Sequence, residues 1–301
     1  MITVRLSRYA LVVCATAGLL AGCGARLTDV GSPPMLARPQ ARSADLLYVS
    51  NYQNSTVDVY TYPGGSRVAT LTGFSKPQGE CADAAGDVFI ANTNDHDILE
   101  YAHGGTEPIA TLHDSQYFPI GCSVDPVTGN LAVSNLMSSR GVGSIAIYRH
   151  ARGKPRQYKS LTYFMSCSYD DGGNLFADGE SNSDELLVEL PKGSMTFKTV
   201  RLGLYGLGQL QWDGKYLTNE LDESSSSSIF RLKISDFRAR TVGHTHLSGA
   251  GSASFIDRQR VILAGPDRVD FFNYPSGKGP TKTIADSHRP IGVVVSTVSS
   301  R

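Results

Sequence analysis

Six copies of one unit, each roughly forty residues long, run from Leu46 to Ser296. A period of that length belongs to arrays whose units cannot bury an apolar face alone and must stack to build a core. The clearest anchor is an Asp that closes an apolar run just before a turn. It recurs at Asp83, Asp125, Asp170, Asp213 and Asp257, with gaps of 42, 45, 43 and 44, and Ser296 takes its place in the last copy.

Each copy reads as four short strands. The run before the anchor is the first, as in Pro119-Ile-Gly-Cys-Ser-Val-Asp125. An Asp/Asn/Gly turn follows, and then a β-prone run such as Leu47-Tyr-Val-Ser50 or Val88-Phe-Ile-Ala91. A polar loop leads to a third strand (Val57-Asp-Val-Tyr60, Ile145-Ala-Ile-Tyr148), and a Pro/Gly turn such as Tyr62-Pro-Gly-Gly65 precedes a weaker outer strand. Short strands punctuated by turns every roughly 8–12 residues, with no amphipathic helical stretch after the N-terminus, indicate an all-β protein. Four antiparallel strands repeated six times predict a six-bladed β-propeller, which protects its sheet edges by closing on itself. The first copy lacks its first strand, and the chain ends on a spare one, Pro290-Ile-Gly-Val-Val-Val295. The C-terminal strand is therefore expected to complete the N-terminal blade. An open solenoid would leave that Val/Ile run as a bare edge.

The Pro-x-Gly-x-x-x-Asp strand followed by a Leu-Tyr-Val-like strand resembles the NHL-type and streptogramin-lyase-like (virginiamycin B lyase-like) propellers, over nearly all residues after Asp45. The resemblance implies the scaffold and not an activity, because these motifs are the fold itself. The lyase has seven blades and a metal-assisted site, and no matching His/Glu set is found here, so no catalytic residue is carried over.

Residues 1–22 have Arg5 and Arg8, an apolar stretch from Tyr9 to Leu20, and then Leu20-Ala21-Gly22-Cys23. That order describes an export signal, too short for a membrane span. It also resembles the bacterial lipobox, which implies acylation of Cys23. Several acyl chains at about 0.8 kcal/mol per buried methylene would anchor the chain firmly. Gly24, in place of an Asp, leans toward the outer membrane of the cell envelope, on its periplasmic or surface side. Residues 23–44, with Pro33 and Pro34, read as a flexible tether, and 45–301 as the propeller.

Lys+Arg and Asp+Glu balance at 28 each and are scattered, so nothing favours nucleic acid, and a monomer is expected. Cys81, Cys122 and Cys167 sit on first strands of neighbouring copies. Cys81 is one residue out of step and points to the opposite strand face, which makes a Cys81–Cys122 disulfide feasible in an oxidising compartment. Three small buried hydrophobes are the plainer and preferred reading. His244-Thr-His246 and the oxygen-rich Asn92–Asp97 loop could hold a metal, but a surface pair and a polar loop explain them better. The serines from Ser224 to Ser228 read as a mobile loop in the fifth copy. No familiar hydrolase or phosphate-loop motif is present, and no cofactor or metal site is assigned.

The connections between blades carry Lys76, Tyr117, Phe118, Tyr163, Phe164, Tyr205, His288 and Arg289. In a propeller they share a side with the loops joining second and third strands. Rings flanked by cations suit a protein, peptide or glycan ligand, or they pack beneath their own loops. Asn51, Asn92, Asn135 and Asn219 end second strands on this side as loop caps. The chain is thus expected to be a lipid-anchored binding or scaffold propeller. The alternative is an extracytoplasmic metal-dependent lyase or lactonase, for which Glu80, Asn92, Asn135 and Glu220 would have to converge on one cation.

Overall fold

The computed structural model describes residues 43–202, 206, 208–286 and 288–298. The signal segment, Cys23, nearly all of the tether and Tyr205 lie outside them. Blade 1 holds β1 (Leu46–Asn51), β2 (Thr56–Thr61) and β3 (Arg67–Leu71). Blade 2 is β4 (Pro77–Ala82), β5 (Val88–Asn92), β6 (Asp97–Tyr101) and β7 (Ala110–His113). Blade 3 is β8 (Tyr117–Val124), β9 (Leu131–Ser138), β10 (Ser144–Tyr148) and β11 (Arg156–Tyr158). Blade 4 is β12 (Tyr163–Tyr169), β13 (Leu175–Ser181), β14 (Asp184–Leu190) and β15 (Lys198–Val200). Blade 5 is β16 (Gln209–Trp212), β17 (Leu217–Glu223), β18 (Ser226–Ser235) and β19 (Arg238–Leu247). Blade 6 is β20 (Ala253–Asp257), β21 (Arg260–Ala264), β22 (Arg268–Asn273) and β23 (Lys282–Ala285). The last strand, β24 (Pro290–Ser296), returns to blade 1 as its inner strand, in the order β24-β1-β2-β3. Its register runs from Leu46↔Ser296 to Asn51↔Pro290. The two short 3₁₀ turns, Thr93–Asp95 and Arg149–Ala151, are the helical elements among the described residues.

Consecutive inner strands touch all the way round, from β24 through β4, β8, β12, β16 and β20 back to β24. The sheet is therefore a closed six-bladed β-propeller, as the repeat predicted. Its apolar core is six wedges, one in each gap between neighbouring blades. A second strand is thus buried on both faces, which is why Leu46-Leu47-Tyr48-Val49 is a continuous apolar run rather than an alternating one.

The repeat motif has a physical cause at each position. The Asp caps its own turn: Asp170 Oδ1 accepts from the amides of Gly172 (2.9 Å) and Asn174 (2.8 Å), and Gly173 takes the positive φ of +83° that the turn needs. It also receives the next blade. The hydroxyls of Tyr62 and Tyr274, each from a Tyr-Pro turn, donate to Asp257 (2.9 Å) and Asp213 (2.6 Å) of the preceding blades. The motif Gly marks close approach of neighbouring inner strands. A Cβ on Gly292 would meet the Gln78 carbonyl at 2.1 Å, and one on Gly79 the Ile120 carbonyl at 2.5 Å. In blade 4 Ser166 replaces this Gly, and its hydroxyl donates to the Gly208 carbonyl (3.2 Å) and accepts from the Leu210 amide (2.8 Å).

Two expectations are corrected. Cys81 and Cys122 form a disulfide with Cα atoms 5.6 Å apart, while Cys167 is the free, buried thiol among the described residues. The one-residue offset turns the first two side chains toward each other across the gap between blades 2 and 3. Only Ser224 and Ser225 form a turn, because Ser226, Ser227 and Ser228 extend β18 and pair with β17. With the linked cysteines 41 positions apart, loop closure contributes on the order of 4 kcal/mol. Replacing both by Ser should lower the thermal midpoint by several degrees while leaving the far-UV spectrum unchanged. An unaltered melt would show that the link adds nothing.

Candidate functional site

The ends of the second strands organise one rim of the ring. Asn51 Nδ2 donates to Asp58 (3.0 Å), Asn135 Nδ2 to Asp114 (2.6 Å) and Ser144 (3.1 Å), and Asn219 Nδ2 to the Gly206 carbonyl (3.1 Å). Asn92 holds its loop through Asp95, Asp97 and the Ser75 amide. These are the expected loop caps. They tie the loops after the second strands to the connections between blades, as in Tyr52 N donating to the Arg289 carbonyl (3.2 Å) and Asn94 N to the Ser75 carbonyl (3.0 Å).

The rim residues singled out in the sequence are spread around this face. Lys76, in a left-handed conformation (φ +58°), donates to the Tyr52 carbonyl (3.1 Å) and stands 4.7 Å from the centre of its ring. Exposed Arg289 covers the same ring at 5.3 Å. His288 pairs with Asp286 at 3.3 Å. Half-buried Phe118 meets His96 edge-on at 4.5 Å, and Lys159 lies 5.5 Å from the centre of the Tyr117 ring. Tyr163 is half-buried at the start of β12. Phe164 is fully buried against Phe197 in the wedge between blades 3 and 4, so its ring faces no ligand. The structure thus brings Lys76 and Arg289 together, and their common partner, Tyr52, was not marked in the sequence. Its only signal was its place directly after the capping Asn51.

Inside the rim a cavity of about 290 Å³ opens between the inner strands, lined by Gln78, Glu80, Met165, Ser166 and Gln209 among others. Most polar groups facing the channel are already used between blades. Ser123 accepts from the Tyr169 amide (2.9 Å), Ser168 from the Trp212 amide (2.9 Å), and Gln211 both donates to and accepts from Ile256 (2.8 and 2.7 Å). Three carboxyl groups are buried close by. Glu80 accepts from the Ser50 hydroxyl, Asp178 from the Ser166 amide (2.8 Å), and Glu220 sits beside Ser227 and Ser254. Burial raises Glu80 from 4.5 to about 8, Asp178 from 3.8 to about 7 and Glu220 from 4.5 to about 7.

Glu80, Asn92, Asn135 and Glu220 do not form a common ligand set. Asn92 is spent on its loop, whereas Asn135 uses only its Nδ2 and keeps an unpartnered Oδ1. Among the described residues, the group of ligand atoms lying within 4.8 Å of one another is instead Asp58, Asp286 and His288. Asp58 there also accepts from Asn51 and Thr70 and pairs with Arg67 at 3.5 Å, so its charge is already met. His244 and His246 are exposed on β19, outside this group.

No protein-family model matches the chain, and no curated protein matches it. Solved structures do. A chain in the crystal structure of a nidogen/laminin complex superposes with a TM-score of 0.66 at 11% identity, over 85% of this chain and 99% of that one. A protein of unknown function from Bacteroides caccae gives 0.62 at 9% identity, over 84% of this chain and 99% of that one. What is shared is the propeller fold. At such identities the likeness says nothing of a ligand, so function has to be argued from this chain's own rim.

The buried acids carry a pH signature. Each holds its proton more tightly folded than unfolded, so its contribution is complete below about pH 4 and drains away as pH rises toward 7–8. Glu80→Gln keeps an acceptor for Ser50 and removes the ionisation. Its thermal midpoint should gain on the wild type steadily from pH 5 to 8, by at most about 1.4 kcal/mol per pH unit. Parallel stability curves for the two proteins would show that Glu80 ionises as freely folded as unfolded.

Proposed function

We propose that the chain is an extracytoplasmic binding propeller, held to a bacterial envelope membrane by a lipid on Cys23, that grips a carboxylate-bearing protein or peptide through the rim around Tyr52. The observation that carries this reading is the half-exposed Tyr52 ring with Lys76 at 4.7 Å and Arg289 at 5.3 Å. Among the described residues neither cation has a carboxylate within ion-pair distance, so both charges are left for a partner. A ring between two cations offers an apolar surface together with charge-assisted donors, a combination suited to interface anchors.

Other features support the address and the kind of partner. The Leu20-Ala21-Gly22-Cys23 signal and the Cys81–Cys122 link both fit an oxidising compartment. The chain of similar fold in the nidogen/laminin complex belongs to an assembly of two proteins. The Pro-x-Gly-x-x-x-Asp strands, whose Gly and Asp have the packing roles described above, support kinship with NHL-type propellers. A metal-dependent lyase or lactonase is not favoured by any group seen here, because the ligand-type cluster among the described residues is Asp58, Asp286 and His288 and includes none of its four required side chains.

Two measurements test this. Cys23→Ser should move the protein from the membrane fraction to the soluble one, and retention in the membrane would refute the anchor. Lys76→Glu with Arg289→Glu should reduce capture of envelope proteins by at least about tenfold, and lower its salt sensitivity, without changing the melt. Equal capture by both proteins would remove this rim from the account.

A further inference from the structure

A cleft on the opposite rim lies between blades 4 and 5. It encloses about 480 Å³, within the range of roughly 300–1,000 Å³ typical of small-ligand sites. Its walls come from the Asp170–Asn174 turn, the Asp213–Lys215 turn and the β18–β19 connection at Ser235–Phe237. Four rings line it: Phe176, Trp212, Tyr216 and Phe237. For two of them a lysine ammonium fixes one side of the ring, with Lys215 5.1 Å from the centre of Tyr216 and Lys198 4.5 Å from that of Phe237.

The indole N–H of Trp212 is the odd group. It is buried and finds no acceptor in the protein. That nitrogen is closed to solvent, so what Trp212 offers the cleft is its ring. The polar lining has both signs. Asp170, Glu189 and Asp236 supply acceptors, while Lys215 and Lys233 supply donors. Burial, and then the charge of Asp170, pushes the Glu189 carboxyl up, so the two acids are near enough to repel an anion. A polycation would meet the lysines. A neutral molecule that is flat and apolar on its faces and rich in hydroxyls at its edges satisfies these rings and charges alike: C–H faces lie on the rings, and edge hydroxyls both donate and accept.

We infer that this cleft between blades 4 and 5 is a binding site for a neutral oligosaccharide, with the Trp212, Tyr216 and Phe237 rings as its platform and Lys215, Lys233, Asp170 and Asp236 as partners for its hydroxyls. The site is separate from the Tyr52 rim, so a propeller bound to a partner on one side would hold a glycan on the other. No bond is made or broken.

The chain contains a single tryptophan, which lines this cleft and also a second cavity at the inner strands, so its emission is read together with the heat of binding and the cleft variants. The experiment titrates the purified folded protein with cellohexaose, chitohexaose, laminarihexaose, mannohexaose and maltohexaose, following Trp212 emission and, in parallel, the heat of binding. At least one should give a saturable change in both, weakened by about tenfold or more in Phe237→Ala and in Lys233→Ala. Lys76→Glu with Arg289→Glu should bind that sugar as the wild type does, which separates this site from the partner-binding rim. The inference is overturned if none of the five gives saturable heat or emission change at millimolar concentration. It is equally overturned if binding survives both cleft substitutions, since the sugar then sits elsewhere.

Discussion

Closure of the ring by the pairing of β24 with β1 is the constraint on which the rest of this structure depends. A blade alone is a four-stranded sheet with two apolar faces and two open edges, and such a sheet is marginal in water. Each face is buried only against a neighbour, so all six wedges exist only when the circle is complete. The seam itself is apolar: Val293, Val294 and Val295 from the end of the chain meet Leu47, Tyr48 and Val49 near its start. Joining the last strand to the first makes the opening of one gap cost the pairing at the seam as well as the wedge.

The same geometry explains why the channel is poor in free chemistry. Where inner strands crowd together, Gly79 and Gly292 allow the approach, and elsewhere Ser123, Ser166, Ser168, Gln209 and Gln211 spend their side chains on the next blade's backbone. Polar atoms are present in quantity, yet they serve as inter-blade cross-links. Glu80, Asp178 and Glu220 are the groups left with an unpartnered oxygen there, and burial keeps their protons on toward neutrality. On the proposed binding role, recognition falls to the two rims, where loops are free to vary without loosening the strands.

Fold and site were unequally legible in the sequence. The period of the aspartates, the missing first strand and the spare last one specify blade number and closure, because each reflects a requirement that every copy must meet. The disulfide was harder to read. The one-residue offset of Cys81 made the link feasible, but the closeness of two inner strands in different blades, which decides it, is not expressed by spacing along one chain. Rim chemistry was legible only in part. Lys76 and Arg289 were visible as cations beside aromatics, but the ring they share, Tyr52, lies in another loop, brought near by the Tyr52–Arg289 backbone hydrogen bond. Phe164 looked like its neighbours in composition and is instead core. The strand following its connection begins inside the wedge. Trp212 carried no signal beyond being at an anchor, since its cleft forms between two blades.

Amide hydrogen exchange on the intact protein tests the closure most directly. Exchange in β24 (Pro290–Ser296) is to be compared with that in β13 (Leu175–Ser181), across the ring from the seam. If the seam holds the circle, both segments exchange only through global unfolding, with opening free energies equal to the stability measured by denaturant. Exchange of β24 that is faster by orders of magnitude, while β13 stays protected, would mean that the last strand is a frayed tail and the ring stands without it.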